Sequence, residues 1–309
     1  MRDNIDVFGL RADSLHCLQH FANTSFRLDG PDGHWLAKVH DRQGTHAERI
    51  RSEQQWVQAL SGSLTVPIPR PTDHGDLLLG VTDPQTGKPV WLTVNAWLPG
   101  RPLPQHERRV EHFAWIGRSL ARMHRVAETW TPPDRFDIGS KTSVDVAAID
   151  TPSSRAVLHK AAGDAGLKQL DCLLDQLRQS EKRLPQTRGH WGVVHGDASF
   201  GNILVTEDEA LLIDFDLCSM GYYLMDLAVV LAGPWSRPGF DERRAALLAG
   251  YREVRPLSDE HAGMLPWFQV QRTVGMVWSC AQALADSDIR GWLPDQLKRA
   301  RLLAELLPD

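Results

Sequence analysis

The chain has 309 residues, 42% hydrophobic and 24% charged, which is enough for two lobes with separate cores and too ordinary for a fibrous or disordered protein. A formal net charge of −5 argues against nucleic acid as the main partner, and no apolar run approaches the ~20 residues of a membrane span. Cys17, Cys172, Cys218 and Cys280 form no CxxC pair and the start lacks an apolar leader, so a cytoplasmic chain with reduced thiols is expected, without a zinc site or disulfide framework.

In chain order, TSFRL (24–28) and HWLAKVH (34–40) flank DGPDG and read as two strands joined by a turn. Ala47, Ile50, Trp56, Val57 and Leu60 recur at helical spacing and predict a helix over 45–62. DLLLGV (76–81) and VWLTVNAWL (90–98) read as strands, and PGRPLP (99–104) ends the strand-rich part. Beyond it, helices are predicted over 106–127 and 165–184, with an irregular stretch at about 130–155. ILV (203–205) and LLIDF (211–215) suit a small hairpin, and helices resume near 222–232, 240–252, 258–284 and 294–307. The plan is α+β and bilobal. Residues 1–98 form a small antiparallel-sheet lobe with one helix and a hinge near 95–100, and 99–309 form a larger helical lobe.

VVHGDASFGNILV (193–205) carries the first chemical signal. Asp197 and Asn202 have the spacing of a catalytic-loop carboxylate that meets a hydroxyl and an amide that offers Mg²⁺ a neutral oxygen. LLIDFD (211–216) is the second. Asp214 follows four apolar residues, and a carboxylate at the end of a buried strand needs a partner, which Mg²⁺ would supply. Asp216 suits capping or support of that site as well as metal contact. Lys38, on a strand, either snorkels to water or lies over nucleotide phosphates, with a helix Glu to hold it. Glu53, near the apolar stripe, fits that task better than Glu48 in the first turn, where an acid serves the helix dipole. No GxGxxG precedes Lys38. Asn23, Thr24 and Ser25 stand where a phosphate-covering loop would be, and the absence of GxxxxGK[ST] excludes a P-loop kinase.

The ordered set Lys38, Glu53, WLPG, HGDASFGN and IDFD…DLA resembles the aminoglycoside phosphotransferase/choline kinase family, relatives of eukaryotic protein kinases, over about residues 20–285. The resemblance implies a bilobal protein-kinase-like fold with ATP between the lobes and adenine on the backbone of Ala96 to Leu98. It makes Asp197 the catalytic aspartate and Asn202 and Asp214 the magnesium ligands. It makes His195 a brace of the loop, and Asp226 either a second brace or a contact for a cationic substrate. Ala198, where relatives often carry Leu, and DFDL in place of DFDD remove no required group.

The expected activity is ATP- and Mg²⁺-dependent transfer of the γ-phosphoryl group to a small-molecule hydroxyl. A serine/threonine protein kinase and a nucleotide-binding pseudokinase are the alternatives. Acceptor choice is expected to lie in 128–165 and 234–300. There Trp235, Trp267, Trp278 and Trp292 could wall a pocket, although packing is the expected role of at least three, and Arg272 could pair a substrate carboxylate or phosphate. The helix PWFQVQRTVGMVW looks similar to the homoserine kinase, hydroxylysine kinase and stress-response serine/threonine kinase branches. A polycationic aminoglycoside would call for many acids. Segment 258–300 has only Asp259, Glu260, Asp286, Asp288 and Asp295, so an amino-acid-like metabolite is favoured over an antibiotic.

Overall fold

Strand formers separated by Gly and Asp turns build a five-stranded antiparallel sheet from β1 (Ser14–His20), β2 (Thr24–Gly30), β3 (Gly33–His40), β4 (Leu79–Thr82) and β5 (Pro89–Ala96), in the order β1-β2-β3-β5-β4. The computed structural model describes residues 2–20, 23–40, 46–83, 86–140, 151–182, 184, 186–233, 237–283 and 286–305. The chain forms two compact units. The first comprises Met1–Leu103, Thr129–Ile138 and Ile203–Asp216, and the second Pro104–Glu128, Gly139–Asn202 and Leu217–Asp309. Together they make a bilobal, protein-kinase-like architecture, with a small antiparallel sheet and helix in one lobe and a larger helical lobe.

In the first unit, Ile5, Phe8, Leu10, Leu28, Ala37, Leu92 and Val94 make one core against the sheet. Lys38 sits on the central strand β3, opposite Ser25 on β2 and Thr93 on β5. The register that buries Ala37 therefore also fixes where the lysine emerges. Helix Ala47–Leu60 buries Ile50, Glu53, Trp56, Val57 and Leu60 along one face, a spacing that follows the helical repeat. Trp56 packs on Trp130 with ring centroids 5.1 Å apart, and the Asp137 N–H donates to Ser52 Oγ at 2.9 Å. Those contacts lay residues 129–138 along the helix. Ile203–Val205 pairs with both Ala210–Leu212 and Arg101–Pro102, and this small sheet leads directly to Asp214. Edge strand β1 escaped the sequence reading because most of its residues are exposed, so no apolar alternation marks it.

The second unit is helical around a ribbon of Trp191–Val194 and Ser219–Tyr222. Helices Val110–Thr129 and Phe240–Arg252 approach closely at two glycines. A Cβ on Gly250 would lie 2.0 Å from the Ala114 carbonyl oxygen, and one on Gly117 would lie 2.2 Å from that of Leu247. The helix expected from 165 follows Gly163, whose backbone is non-helical (φ 68°), and a further helix that the sequence reading placed in the irregular stretch precedes it from Pro152, behind a Thr151–Ser154 capping box. The helix expected over 258–284 is two helices, Asp259–Gly263 and Leu265–Ala283, because Pro266 lacks an N–H and disfavours helix in the residue before it. Residues 141–150 of the expected irregular stretch lie outside the described residues. Among the described residues, no helix is long and apolar enough to cross a membrane.

Candidate active site

In the first unit, Lys38 stands at the centre of a cluster of carboxyl groups. It is buried, and its Nζ donates to Asp214 Oδ1 at 2.7 Å and to Asp216 Oδ1 at 2.6 Å. Burial opposes its charge, but Asp216, then Asp214 and Glu53, outweigh burial and raise its pKa. The sequence reading paired Lys38 with Glu53. The ammonium instead takes the two strand-end carboxylates, and buried Glu53 acts on it through the field while accepting from Gln54 Nε2 at 3.1 Å. Burial, then the Asp216 charge, push the Glu53 carboxyl up to about 8 against the pull of Lys38. Glu48 is exposed and pairs with Arg51 at 2.7 Å.

Asp214 has φ 62°, a left-handed conformation that costs a non-glycine residue ~1 kcal/mol or more. Asn23 is buried and donates to Asp216 Oδ2 at 2.5 Å. Thr24 Oγ1 shares a 2.6 Å hydrogen bond with the His20 ring, and Ser25 is buried on β2. The Ala96 N–H is committed to the Ile68 carbonyl at 2.9 Å. Leu98, two residues on, is buried.

In the second unit, the loop after Trp191–Val194 is fastened to Asp226, which is fully buried. Asp226 Oδ2 accepts from the His195 N–H at 2.8 Å and its Oδ1 from the Gly196 N–H at 2.9 Å. His124 Nε2 completes the set, 3.1 Å from Oδ2. Burial alone would raise the Asp226 pKa, but His124 and His195 outweigh it and lower the value. Burial lowers the pKa of His124, consistent with a neutral ring that donates through Nε2 and accepts at Nδ1 from the Tyr251 hydroxyl, 2.9 Å away. Arg255 Nη1 donates to that hydroxyl at 3.0 Å.

On this fixed loop, Asp197 Oδ2 accepts from Asn202 Nδ2 at 3.0 Å and its Oδ1 from Arg272 Nη2 at 2.7 Å. Asn202 Nδ2 also lies 3.0 Å from the Asp197 carbonyl. Arg272, which the sequence reading offered to a substrate anion, is therefore engaged by Asp197. His195 is wholly buried, with its Nδ1 3.4 Å from the Asp197 N–H.

Trp267 and Trp278 are buried in the helical core. Trp235 and the Trp292 side chain lie outside the described residues. The sequence reading missed His124, Tyr251 and Arg255. A histidine on the apolar stripe beside Leu120 and Met123 was a usable signal for the first, because a buried imidazole needs a partner. The other two had no local signal.

A strand lysine among strand-end carboxylates, and an Asp-xxxx-Asn loop fastened from below, define a nucleotide-dependent phosphotransferase on a kinase-like scaffold. The sequence model of the phosphotransferase enzyme family matches residues 18–267, and the chain belongs to that family. It is a kinase that transfers phosphoryl groups from ATP, with a divalent metal, to a hydroxyl of a small molecule. Homoserine kinase of Acidiphilium cryptum (strain JF-5) is 26% identical over 256 residues, 79% of this chain and 72% of its own. Among solved structures, a microcompartment-associated aminopropanol kinase superposes with a TM-score of 0.83 at 21% identity, covering 98% of this chain and 95% of that one. Amicoumacin kinase hAmiN, in complex with AMP-PNP, Ca²⁺ and Ami, gives 0.80 at 20% identity, covering 95% and 90%.

Proposed function

We propose that this kinase phosphorylates a small amino-acid-like or amino-alcohol metabolite, with Asp197 receiving the proton of the acceptor hydroxyl. The observation that carries the assignment of Asp197 is its mounting. Two side chains hold its carboxylate, and Asp226 fixes the backbone beneath it. A base must be placed within hydrogen-bond reach of the proton it takes, and a loop held at this many points loses little on ordering.

The residues fit a bound nucleotide–metal complex. Around Lys38 the first unit gathers the charged carboxylates of Asp214 and Asp216 and the carboxyl of Glu53, oxygen donors of the kind a divalent cation takes. Asp214 would be one ligand of that ion and Asn202 another, since donation by Nδ2 to Asp197 leaves the Oδ1 end of Asn202 for a cation. The bound metal supplies charge neutralisation for the transferring phosphoryl group. Lys38 would exchange a carboxylate for nucleotide phosphate, held in place by the field of Glu53. Asn23, Thr24 and Ser25 would cover the phosphates, and Ala96 and Leu98 would meet the base. Arg272 orients Asp197, while His195 and Asp216 support the loop and the lysine.

For the acceptor, support comes from the homoserine kinase and aminopropanol kinase likenesses. We place the activity in the cytoplasm, where ATP is abundant. The free state of Cys17, Cys172, Cys218 and Cys280 agrees with a reducing compartment.

The test is ATP consumption by pure protein with Mg²⁺ against homoserine, hydroxylysine, aminopropanol, choline, aminoglycosides and a generic basic protein, with Asp197→Ala as the blank. Turnover with an amino acid or amino alcohol, lost in the variant, is the expected result. Phosphate entering only the protein, or nucleotide binding without turnover on any acceptor, would overturn the reading.

A further inference from the structure

Although the chain is acidic overall, one part of the second unit is strongly basic. A hollow of about 400 Å³ is lined by Arg108, Arg237 and Arg243, together with Phe113 and Gly233. A second hollow, of about 600 Å³, shares Gly233 and Arg237 with the first and adds Lys298, Arg299 and Asp295. The two are therefore contiguous. Five cationic side chains face them against one carboxylate among the described residues.

Neither Arg237 nor Arg243 pairs with a carboxylate among the described residues. Arg243 Nη1 spends one hydrogen bond on the Pro238 carbonyl at 2.7 Å. Burial and the positive charge of Arg237 both lower the Arg108 pKa, and burial lowers that of Arg299 to about 10. Cations held together under these conditions are relieved by an anion.

The hollow also adjoins the catalytic loop. The Arg108 guanidinium lies 3.9 Å from the ring centroid of Phe200, and Phe113 meets the same ring edge-on at 5.3 Å. Phe200 is three residues beyond Asp197. Gly233 caps the far end of the helix whose first turn carries Asp226. The volumes suit a metabolite, and planar guanidiniums suit the paired oxygens of a carboxylate or phosphate.

We infer that this basic hollow binds a carboxylate or phosphate group on the acceptor molecule, so that the enzyme selects acidic or zwitterionic hydroxyl compounds and rejects polycations. The inference deepens the proposed function and rests on it for the word acceptor, while the anion site itself stands on the geometry alone. Like charges facing a polycationic antibiotic would repel it, which adds a reason for excluding aminoglycosides that the scarcity of acids could not supply.

Arg237 is exposed, so replacing it leaves the core untouched. The first measurement is calorimetric titration with inorganic phosphate and with O-phosphoserine, in the presence of saturating ADP and Mg²⁺ so that the nucleotide's own phosphate contacts are filled. Binding should be detected in the wild type, fall ~10–100-fold in Arg237→Glu and persist in Arg237→Lys. Absence of binding in the wild type, or equal binding in Arg237→Glu, overturns the site.

The second measurement compares kcat/KM for homoserine and 3-aminopropan-1-ol, which differ only by the carboxylate. A preference of ~10-fold or more for homoserine, erased by Arg237→Glu, supports the acceptor role. Anion binding that leaves this preference unchanged overturns that role. Anion binding with no turnover on any acceptor supports the site and counts instead against the phosphotransfer reading.

Discussion

Asp226 and Glu53 are both buried carboxylates, and they have opposite fates. Asp226 accepts two backbone N–H groups and a histidine, and its pKa is lowered in spite of complete burial. Glu53 is driven upward by burial and then by the charge of Asp216, against the pull of Lys38 and Arg49. The first environment is complete without a ligand and acts as scaffold. The second keeps one acid protonated beside two charged carboxylates, a perturbed group of the kind that gathers where a ligand binds. The arrangement assigns precision to one unit and readiness to the other.

The largest expected effect tests what the scaffold is for. Replacing Asp197 with Asn keeps the size and the contact with Asn202 but removes the base. Turnover should fall ~10²–10⁴-fold, while nucleotide affinity changes little. Steady-state rates beside a fluorescence titration would separate the two. Wild-type turnover in this variant would make Asp197 a loop-packing residue only.

The next effect compares the two carboxylate environments directly. Asp226→Ala orphans two backbone donors and a buried histidine, and should cost ~3–5 kcal/mol of stability. Asp216→Asn leaves Lys38 with Asp214 and relieves Glu53, so a change of ~1 kcal/mol or less is expected. Denaturant midpoints of the ligand-free proteins would decide, and equal losses would erase the distinction between scaffold and waiting site.

Lys38 is where the waiting site is most exposed to substitution. Lys38→Met removes the ammonium that the carboxylates share and the cation proposed to meet phosphate. Affinity for ATP with Mg²⁺ should weaken ~10–100-fold, read by the same titration. Unchanged affinity would return Lys38 to a purely structural ion pair.

The two environments also differed in how far the sequence exposed them. Lys38, Asp197, Asn202 and Asp214 could be singled out because each sits at a fixed offset in a short run whose strand or loop character is itself legible. The bilobal plan was readable for a similar reason, since strand and helix periodicities fall in different parts of the chain. What stayed hidden depends on register between distant segments. The link from Tyr251 through His124 to Asp226 joins three helices that only packing brings together. The choice of Asp214 and Asp216 over Glu53 as partners of Lys38 turns on distances of a few tenths of a nanometre that no spacing rule contains. The basic hollow gathers Arg108, Arg243 and Arg299 from positions nearly 200 residues apart, each unremarkable in its own segment.

Glu53 gives the sharpest test of readiness. Its folded pKa, about 8, exceeds the ordinary value of 4.5. Between those values the folded protein therefore binds more protons than the unfolded chain. The stabilising contribution is fully present below pH ~4.5 and is lost as pH rises through about 8, by no more than ~1.4 kcal/mol per pH unit. Thermal midpoints of the ligand-free protein should accordingly show a downward component over that interval, which Glu53→Gln removes. A divalent cation bound near Asp214 would favour the charged form of Glu53, so titration with Mg²⁺ alone near pH 7 should release protons. Calorimetry in two buffers of different ionisation enthalpy would detect them. Release that survives Glu53→Gln would assign the proton to another group, and no release at all would mean that no cation binds within the field of Glu53.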